Sequence, residues 1–500
     1  MVVPRPRTQG APVIAITGAT EDPASGRAAR PGGSDHVSPS PPRSFENRWG
    51  GPWVAFAAVL GLAAALRLVG IQYGLPFPLL NPDERNIVPR AWAMTHGGGL
   101  DPHWFDYPTL VMYLLAPVQA WQHEPSYLAA RLTMVAIALA GVAAAWWLGR
   151  AAYGPVAGFV AAAAVAVETT YVAYSRLGVT DVPLTVGVTV ALALMVSGRI
   201  ELAGLAVGLA ASAKYPGILL LAPLVAAAWG RWRRLAIAVG LAVVAFAATS
   251  PYVLIDFGEA AGAAWRVQRW AHTGWLGFEN DHAAPIAFAG RLWDGFGPVL
   301  LIAVTGLVVA LVHRTRADLV LGVFVLVYFA NLLVLHSHFD RYVLPLVPAL
   351  GALAGRLRAL APVTLLMLVV PLTWSARDAR HLTKTDTRVV AHRWVMQHVP
   401  RGAYLAADSS TPDFAGYRVL GLNLPRPGQP FDPNRDVAHL RDLGVRYIVV
   451  TGAVEDRVLA AAPHYPRETR FYESLKDERR VYVIRPHDDV GGPWLEIYRL

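Results

Sequence analysis

Apolar stretches alternate with short polar connections along most of this 500-residue chain, from residue 53 to about residue 374. A helix needs about 20 apolar residues to cross the hydrocarbon of a bilayer, and many of these stretches approach that length. The pattern predicts eleven membrane-spanning helices, with ends placed to within a few residues. They lie near residues 53–72, 126–148, 155–174, 182–197, 201–213, 215–230, 235–253, 298–312, 318–335, 342–355 and 361–374.

Arginine residues occur in every second connection of this pattern, where the chain between two apolar stretches is very short. The positive-inside rule places these connections in the cytoplasm, together with the N-terminus. The other connections then face outside: a large first loop at 76–125, shorter segments at 175–181, 254–297 and 336–341, and everything after residue 375. The apolar piece 109–121 is predicted to lie in the membrane interface or beneath the outer loop, because a crossing there would invert all later connections. The arginines are Arg150, Arg199, Arg231, Arg233, Arg234, Arg314, Arg316, Arg356 and Arg358.

Composition supports a membrane protein and excludes several other classes. The chain is 54% hydrophobic and only 16% charged, with a mean hydropathy of +0.38, unlike an ordinary soluble enzyme. It has no cysteine, which excludes disulfides and thiolate metal sites. The net charge of +9 comes mostly from short basic clusters between apolar stretches, so it reflects topology and predicts no nucleic-acid partner.

Three regions follow from this pattern. Residues 1–48, rich in Pro, Gly, Ser, Ala and Arg, are predicted to be a disordered cytoplasmic tail. Residues 49–377 are predicted to form an all-α polytopic membrane domain with a large first outer loop. Residues 378–500 are predicted to form a small extracytoplasmic α/β domain, with helices near 387–398 and 437–443 and strands near 402–408, 447–451, 480–485 and 494–500. This last domain is either structural or involved in acceptor binding.

An acidic pair, Asp83–Glu84, opens the polar segment that follows the first apolar stretch. Carboxylates near lipid are costly to maintain, which favours a chemical role over a solvated loop. They can accept protons, bind a divalent cation through oxygen, or do both. Asp181, at the start of a later span, is either a helix N-cap or a second acid. With Asp83 it could share a divalent cation (Mg, Mn or Zn) beside a phosphate.

Basic residues are predicted on the same outer face. Lys214 lies at the tip between two short apolar halves, where it either neutralises a lipid-linked phosphate or points into water. Arg341 can hold a phosphate through two hydrogen bonds, and Tyr342 can hydrogen-bond a sugar or phosphate. Arg176 is either a phosphate partner or an interfacial side chain with its charge in water. His336 and His338 have the wrong spacing for a helical metal pair.

These motifs, in this order, resemble the C-type integral-membrane glycosyltransferases over about residues 53–375. The similar branch contains bacterial relatives of the protein O-mannosyltransferases and the lipid A aminoarabinose transferases. The resemblance rests on five motifs: the Asp-Glu pair, Tyr174-Ser175-Arg176 with Thr180-Asp181-Val182-Pro183, Lys214-Tyr215, Trp270-Ala271-His272-Thr273-Gly274, and Arg341-Tyr342-Val343-Leu344-Pro345-Leu346-Val347-Pro348.

The resemblance implies transfer of a sugar from a polyprenyl-phosphate carrier to a lipid, glycan or protein acceptor outside the cytoplasmic membrane. By position, Asp83 would be the base or the metal-proximal acid, with Glu84 beside it and Asp181 as the second acid. Lys214 and Arg341 would bind the carrier phosphate, and a further set would bind substrate: Arg176, His272 and Tyr342. Where the protein mannosyltransferases have His-Pro-Pro, this chain has Phe105-Asp106-Tyr107-Pro108-Thr109, which argues against a protein hydroxyl as acceptor.

The chemistry expected of such a site is a single displacement that inverts the anomeric carbon. A phosphate leaves readily once its charge is neutralised, and the acceptor hydroxyl needs a base within hydrogen-bond distance. A transporter or lipid flippase is the alternative function. Transporters place their site near the bilayer midplane, often within an internal repeat, but this sequence has no visible repeat and collects its polar residues on one face. A non-catalytic membrane scaffold would not require acids and bases to converge.

Overall fold

The computed structural model describes residues 50–500, so the predicted tail at 1–48 lies outside the described residues. Up to residue 381 the described chain is helical. Its α-helices are α1 Gly50–Leu68, α2 Pro82–Thr95, α3 Leu110–Gln119, α4 Tyr127–Tyr153, α5 Pro155–Val167, α6 Thr169–Tyr174, α7 Asp181–Val196, α8 Ile200–Ala213, α9 Leu221–Ala227, α10 Trp232–Thr249, α11 Pro251–Ile255, α12 Phe257–Thr273, α13 Ala284–Phe296, α14 Val299–His313, α15 Arg316–Leu332, α16 Val347–Arg356, α17 Ala361–Met367 and α18 Val369–His381. Short 3₁₀ segments lie at Tyr215–Leu220, Asp340–Leu346 and Arg358–Leu360.

The number of membrane crossings remains a prediction. Among the described residues, three helical stretches are long and apolar enough to cross a membrane: Tyr127–Tyr153, Trp232–Thr249 and Arg358–His381. A fourth is added if α13 and α14, which meet at a bend of 117°, form one span. Other apolar helices have 10–17 residues, including α5, α7 and α8. These apolar helices agree with a membrane protein, but they do not establish eleven spans.

Small residues let the helices of this bundle approach closely. A Cβ built on Gly204 or Gly208 of α8 would lie 2.0 Å from the Ala238 carbonyl oxygen or 2.2 Å from that of Ala242, both on α10. A Cβ built on Gly306 of α14 would likewise lie 2.1 Å from the Leu353 carbonyl oxygen of α16. Such contacts replace the hydrophobic driving force that lipid does not supply between membrane helices. The bundle is therefore tightly packed around alanine and glycine.

The C-terminal region, from residue 385, contains the β-strands of the described chain. Its elements are β1 Thr385–Asp386, α19 Thr387–His398, β2 Tyr404–Asp408, β3 Arg418–Leu422, α20 Val437–Asp442, β4 Tyr447–Thr451, α21 Gly452–Ala460, α22 Pro466–Ser474, β5 Arg479–Ile484, β6 Val490–Gly491 and β7 Leu495–Arg499. The main sheet has the order β3-β2-β4-β7-β5; β3, β2 and β4 are parallel, whereas β7 is antiparallel to both neighbours. Both faces are buried, with Ile448 in one apolar cluster and Val449 in the other.

The sheet region packs on the segment of the helical part where α2 begins. The guanidinium group of Arg388 donates to the Leu79 carbonyl at 2.9 Å, and that of Arg85 donates to the Thr411 carbonyl at 2.9 Å. Arg85 also pairs with Asp413 at 3.5 Å. These contacts place the segment that follows β2, and the start of α19, against the beginning of α2. The proposed boundary between residues 377 and 378 falls within α18 and remains a prediction.

Candidate active site

Helix α2 begins at the mouth of the bundle and positions the acidic pair. The Asn81 side chain caps it by accepting the Asp83 backbone N–H at 2.9 Å, and Pro82 occupies the first helical position. Asp83 and Glu84 therefore lie in the first turn, where carboxylates interact favourably with the helix dipole. Because successive helical residues are rotated by about 100°, the two side chains point in different directions.

Asp83 points into a polar cavity. Its Oδ2 accepts hydrogen bonds from Arg341 Nη1 at 2.6 Å and from the Tyr107 hydroxyl at 3.0 Å. Both ionic partners are about one-eighth exposed, so solvent reaches them. Asp83 is thus a carboxylate held ready at the edge of a cavity, with its charge balanced by one arginine.

Glu84 points the other way, into the bundle. It forms a two-point ion pair with Arg131, at 3.0 Å and 2.8 Å, and both side chains are fully buried. Glu84 Oε1 also accepts the Gly178 backbone N–H at 3.0 Å. Arg131 in turn donates to the carbonyls of Ile71 and Tyr73 at 2.9 Å each. The two acids predicted to act side by side therefore occupy separate environments.

Asp181 and Lys214 form a second ion pair close to the first. Lys214 Nζ donates to Asp181 Oδ1 at 2.6 Å, and its ammonium lies 5.4 Å from the ring centres of both Tyr107 and Tyr342. Lys214 is buried and does not point into water. Nor does Asp181 cap α7, since Thr180 is the N-cap residue. Within residues 50–500, Asp181 Oδ2 is buried with no hydrogen-bond partner.

Two cavities meet at these residues. The first, of about 570 Å³, is lined by Asp83, Arg341 and a set of aromatic rings: Trp104, Trp270, Trp275 and Phe339. The second, of about 490 Å³, contains Asp181 and Lys214 at its polar end and is otherwise lined mostly by apolar side chains such as Leu184, Ile218 and Leu332. The residues common to both are Asp106, Tyr107, Val267, Ala271 and Tyr342. A molecule in either cavity therefore reaches the same polar junction.

Two predicted site residues lie away from this junction. Arg176 is buried in the bundle, donates to the Leu66 carbonyl and lines neither cavity. His272, on α12, bonds the Gln268 carbonyl through Nδ1 at 2.8 Å and also lines neither. Conversely, sequence reasoning missed Asp106 and Tyr107 as site residues. The signal for them in the sequence is an acid next to a tyrosine within the polar segment that follows α2.

Residues 104–337 match Glycosyltransferase family 87. No curated protein matches the chain. The fold is similar to that of ArnT from Cupriavidus metallidurans bound to undecaprenyl phosphate, with a TM-score of 0.58, 18% identity, and coverage of 89% of this chain and 97% of that chain.

Two structures of the Archaeoglobus fulgidus oligosaccharyltransferase are also similar. A complex with Zn and sulfate has a TM-score of 0.53 and 12% identity, covering 87% of this chain and 73% of that chain. AglB with an inhibitory peptide and a dolichol-phosphate has a TM-score of 0.55 and 11% identity, covering 88% and 74%. At these identities the likeness shows a shared fold. The family match and this fold confirm the predicted glycosyltransferase and its resemblance to the C-type membrane enzymes.

The predicted metal site gains only weak support. Among the described residues, no group of three or more His, Asp or Glu side chains is arranged to hold a metal ion. One oxygen of Asp83 is bound by Arg341, and one oxygen of Asp181 is bound by Lys214. These two carboxylates alone therefore do not make a metal site. One similar structure contains Zn, but that observation concerns the other protein.

Proposed function

We propose that this protein transfers a sugar from a polyprenyl-phosphate carrier to an acceptor on the outer side of the cytoplasmic membrane. The observation that carries the proposal is the junction of two unlike cavities. The apolar cavity suits a prenyl chain and has the cation Lys214 at its polar end. The aromatic, polar cavity suits a hydroxyl-bearing acceptor and has the carboxylate of Asp83 at its edge. The bound lipid phosphates of the similar structures are consistent with this arrangement.

The proposed reaction is a single displacement with inversion. The acceptor hydroxyl oxygen attacks the anomeric carbon and forms the new glycosidic bond. The bond from that carbon to the phosphate oxygen breaks, and its electron pair leaves with the polyprenyl phosphate. The acceptor proton passes to the Asp83 carboxylate, and the phosphate charge is stabilised by Lys214 and Arg341.

The ion pairs also give the carrier phosphate a way to activate the site. Arg341 and Lys214 now neutralise Asp83 and Asp181 at 2.6 Å each. A phosphate that takes hydrogen bonds from these cations withdraws positive charge from the two carboxylates. Donor binding therefore frees an Asp83 oxygen to hydrogen-bond the acceptor hydroxyl, and Tyr107, between the two cavities, keeps the carboxylate oriented.

Several finer assignments belong to this proposal. In this proposal the enzyme lies in the inner membrane with its C-terminal region outside. Tyr342 contacts the donor at the cavity junction, whereas Arg176, in the segment after α6, and His272, on α12, reach substrate only when those elements move. A divalent cation at Asp83 and Asp181 would need further oxygen ligands from the carrier phosphate, whose charge it would then stabilise. The acceptor is a lipid, glycan or protein, and the absence of His-Pro-Pro at 105–109 argues against a protein.

The proposal is tested by release of free polyprenyl phosphate from purified full-length protein in detergent. The donors are decaprenyl-phosphate mannose, glucose and arabinose, and membrane extract supplies acceptors. Parallel reactions contain EDTA, Mg²⁺, Mn²⁺ or Zn²⁺. We expect release with one donor, accompanied by a labelled glycosylated product. Protein that releases no polyprenyl phosphate under any condition, but moves a labelled solute or lipid across vesicles, would favour the transporter.

A further inference from the structure

A third cavity lies in the C-terminal region, beside the aromatic cavity. It has a volume of about 430 Å³ and is formed by residues 423–432, between β3 and α20, and residues 464–468, at the start of α22. We call it the distal groove. Leu424 lines both the distal groove and the aromatic cavity. The two are therefore neighbours that share a wall.

The wall between them is built from stacked planar groups. The Arg426 guanidinium lies 4.3 Å from the ring centre of Trp270 and 4.9 Å from that of Trp275, and both tryptophans line the aromatic cavity. On its other side, Arg426 belongs to the distal groove, where its Nε donates to Gln429 Oε1 at 3.0 Å. A continuous series of flat faces thus runs from the aromatic cavity into the groove.

Contacts with the outer segment hold the groove in place. The Tyr465 hydroxyl donates to Glu279, and the Asn280 side chain donates to the Ala460 carbonyl at 2.9 Å. Arg426 fixes the opposite wall through Trp270 and Trp275. The groove is therefore held in a defined position relative to Asp83 and is suited to bind a second part of the same substrate.

The chemistry of the groove fits a neutral, hydroxyl-rich chain. Flat surfaces come from four prolines and from Phe431, over which the Arg467 guanidinium stacks at 3.9 Å. Planar faces of this kind pack on sugar rings, while amide, carboxylate and guanidinium groups form hydrogen bonds with hydroxyls.

The charges in the groove nearly cancel: Arg467 adjoins Glu468, and Arg435 is paired with Asp408. A phosphate or an acidic peptide would find little net attraction. The prolines are Pro425, Pro427, Pro430 and Pro466.

We infer that the acceptor is an oligosaccharide chain whose reacting end occupies the aromatic cavity and whose preceding units occupy the distal groove. This inference rests on the proposed function for the reacting end, because the aromatic cavity has a role only if transfer occurs there. The groove itself is a separate binding site, and it can be tested without turnover.

The binding experiment uses full-length protein in detergent and three linear tetrasaccharide probes: mannotetraose, maltotetraose and cellotetraose. Saturation-transfer NMR measures binding to the wild type and to the double variant Phe431→Ala/Arg467→Ala. Arg470→Ala is the matched control, since Arg470 lies on the exposed side of α22 outside the groove. We expect at least one probe to bind, the double variant to weaken that binding about tenfold, and the control to bind normally.

Absence of binding by all three probes, or equal binding by the double variant, would overturn the inference. A kinetic comparison separates it from the proposed function. With octyl mannoside and octyl tetramannoside as acceptors, we expect the tetramannoside advantage in kcat/KM, about tenfold in the wild type, to disappear in the double variant. Two outcomes would contradict the oligosaccharide acceptor but leave the glycosyltransferase activity standing. One is transfer without any tetramannoside advantage. The other is transfer to a Ser/Thr peptide that depends on Phe431 and Arg467. Groove binding without transfer contradicts only the proposed function.

Discussion

Asp83 contributes to the junction through one oxygen, which Arg341 and Tyr107 hold at 2.6 Å and 3.0 Å. Asp83→Asn keeps the size and the hydrogen bonds to both partners but cannot accept a proton. We expect Asp83→Asn and Asp181→Asn each to reduce the rate of sugar transfer about a hundredfold or more. Initial rates of polyprenyl phosphate release measure the effect. Glu124→Gln changes an exposed acid of the same outer segment and should transfer normally. Near-normal rates in either asparagine variant would remove that residue from the mechanism.

Lys214 and Arg341 differ in geometry although both are cations. The ammonium of Lys214 lies between two tyrosine rings, whereas Arg341 presents a planar fork to Asp83. Charged hydrogen bonds to a phosphate contribute roughly 1.5–3 kcal/mol each, so Lys214→Ala and Arg341→Ala should weaken donor use about ten- to a hundredfold. Arg341→Lys should stay impaired because a point charge does not replace the fork.

Titrations of donor and acceptor separate this effect from a general loss of activity. We expect KM for the donor to change more than KM for the acceptor in these variants. Lys476→Ala, an exposed lysine of the C-terminal region, is the charge control and should match the wild type. A selective rise in acceptor KM would assign these cations to acceptor binding instead of binding of the carrier phosphate.

Among the secondary-structure elements, the Glu84–Arg131 pair joins three parts of the bundle. Glu84 belongs to α2 and Arg131 to α4. Gly178 lies in the segment just before α7, and Asp181 is the first residue of α7. Removing one partner of a buried pair leaves an uncompensated charge and costs about 3–5 kcal/mol. Glu84→Gln should therefore lower the melting temperature by several degrees and also reduce transfer partly, because both acidic segments lose a shared anchor.

Glu201→Gln is the control that shows how much of the stability loss comes from burial of the ion pair. Glu201 pairs with Arg234 at 2.6 Å, but this pair is partly exposed, so its loss should leave the melting temperature almost unchanged. If Glu84→Gln retains wild-type stability while losing transfer completely, a direct catalytic role for Glu84 would replace the anchoring role.

The C-terminal sheet has its own pH dependence through Glu455 on α21. Burial, followed by repulsion from Asp408 and Glu496, raises the pKa of Glu455 from 4.5 to about 7. The folded state therefore holds a proton that the unfolded state releases, and stability falls as pH rises from about 4.5 through about 7. Glu455→Gln should raise the melting temperature by about 1–3 °C at pH 8.5 and less at pH 5. Glu473→Gln, at an exposed position on α22, should show no such pH difference. An equal gain at both pH values would contradict this ionisation.

Elements with strong periodicity were predictable from sequence, and those defined by tertiary position were not. Helix α19 and strand β4 have the predicted bounds because their apolar positions repeat clearly. Strand β3 was missed because it is largely exposed at the sheet edge and has no alternation. The opposite directions of Asp83 and Glu84 depend on where α2 begins, and the place of Tyr107 depends on packing between distant segments. Neither is encoded in local pattern.

At the level of the whole molecule, topology decides whether the site can use an extracellular acceptor. The aromatic cavity adjoins the C-terminal region through Ser409, Ser410 and Leu424, and the distal groove lies within that region. The apolar cavity is linked to it through Tyr107 and Tyr342, which line both cavities. The site and the sheet must therefore face the same side of the membrane. The basic connections, such as residues 231–234, are predicted to face the other side.

Reporter fusions test this orientation directly. Alkaline phosphatase is active only outside the cytoplasm, so its fusion after Leu500 should be active and its fusion after Arg234 silent. Fusions of green fluorescent protein, which fluoresces in the cytoplasm, should give the opposite pattern and control for expression. Eleven crossings, an odd number, place the two chain ends on opposite sides, whereas an even number would place them on the same side. The opposite result after Leu500 would be an inactive phosphatase and a fluorescent green fluorescent protein. That result would put Asp83 and its acceptor cavity on the cytoplasmic side, and the proposed reaction would then need an acceptor there.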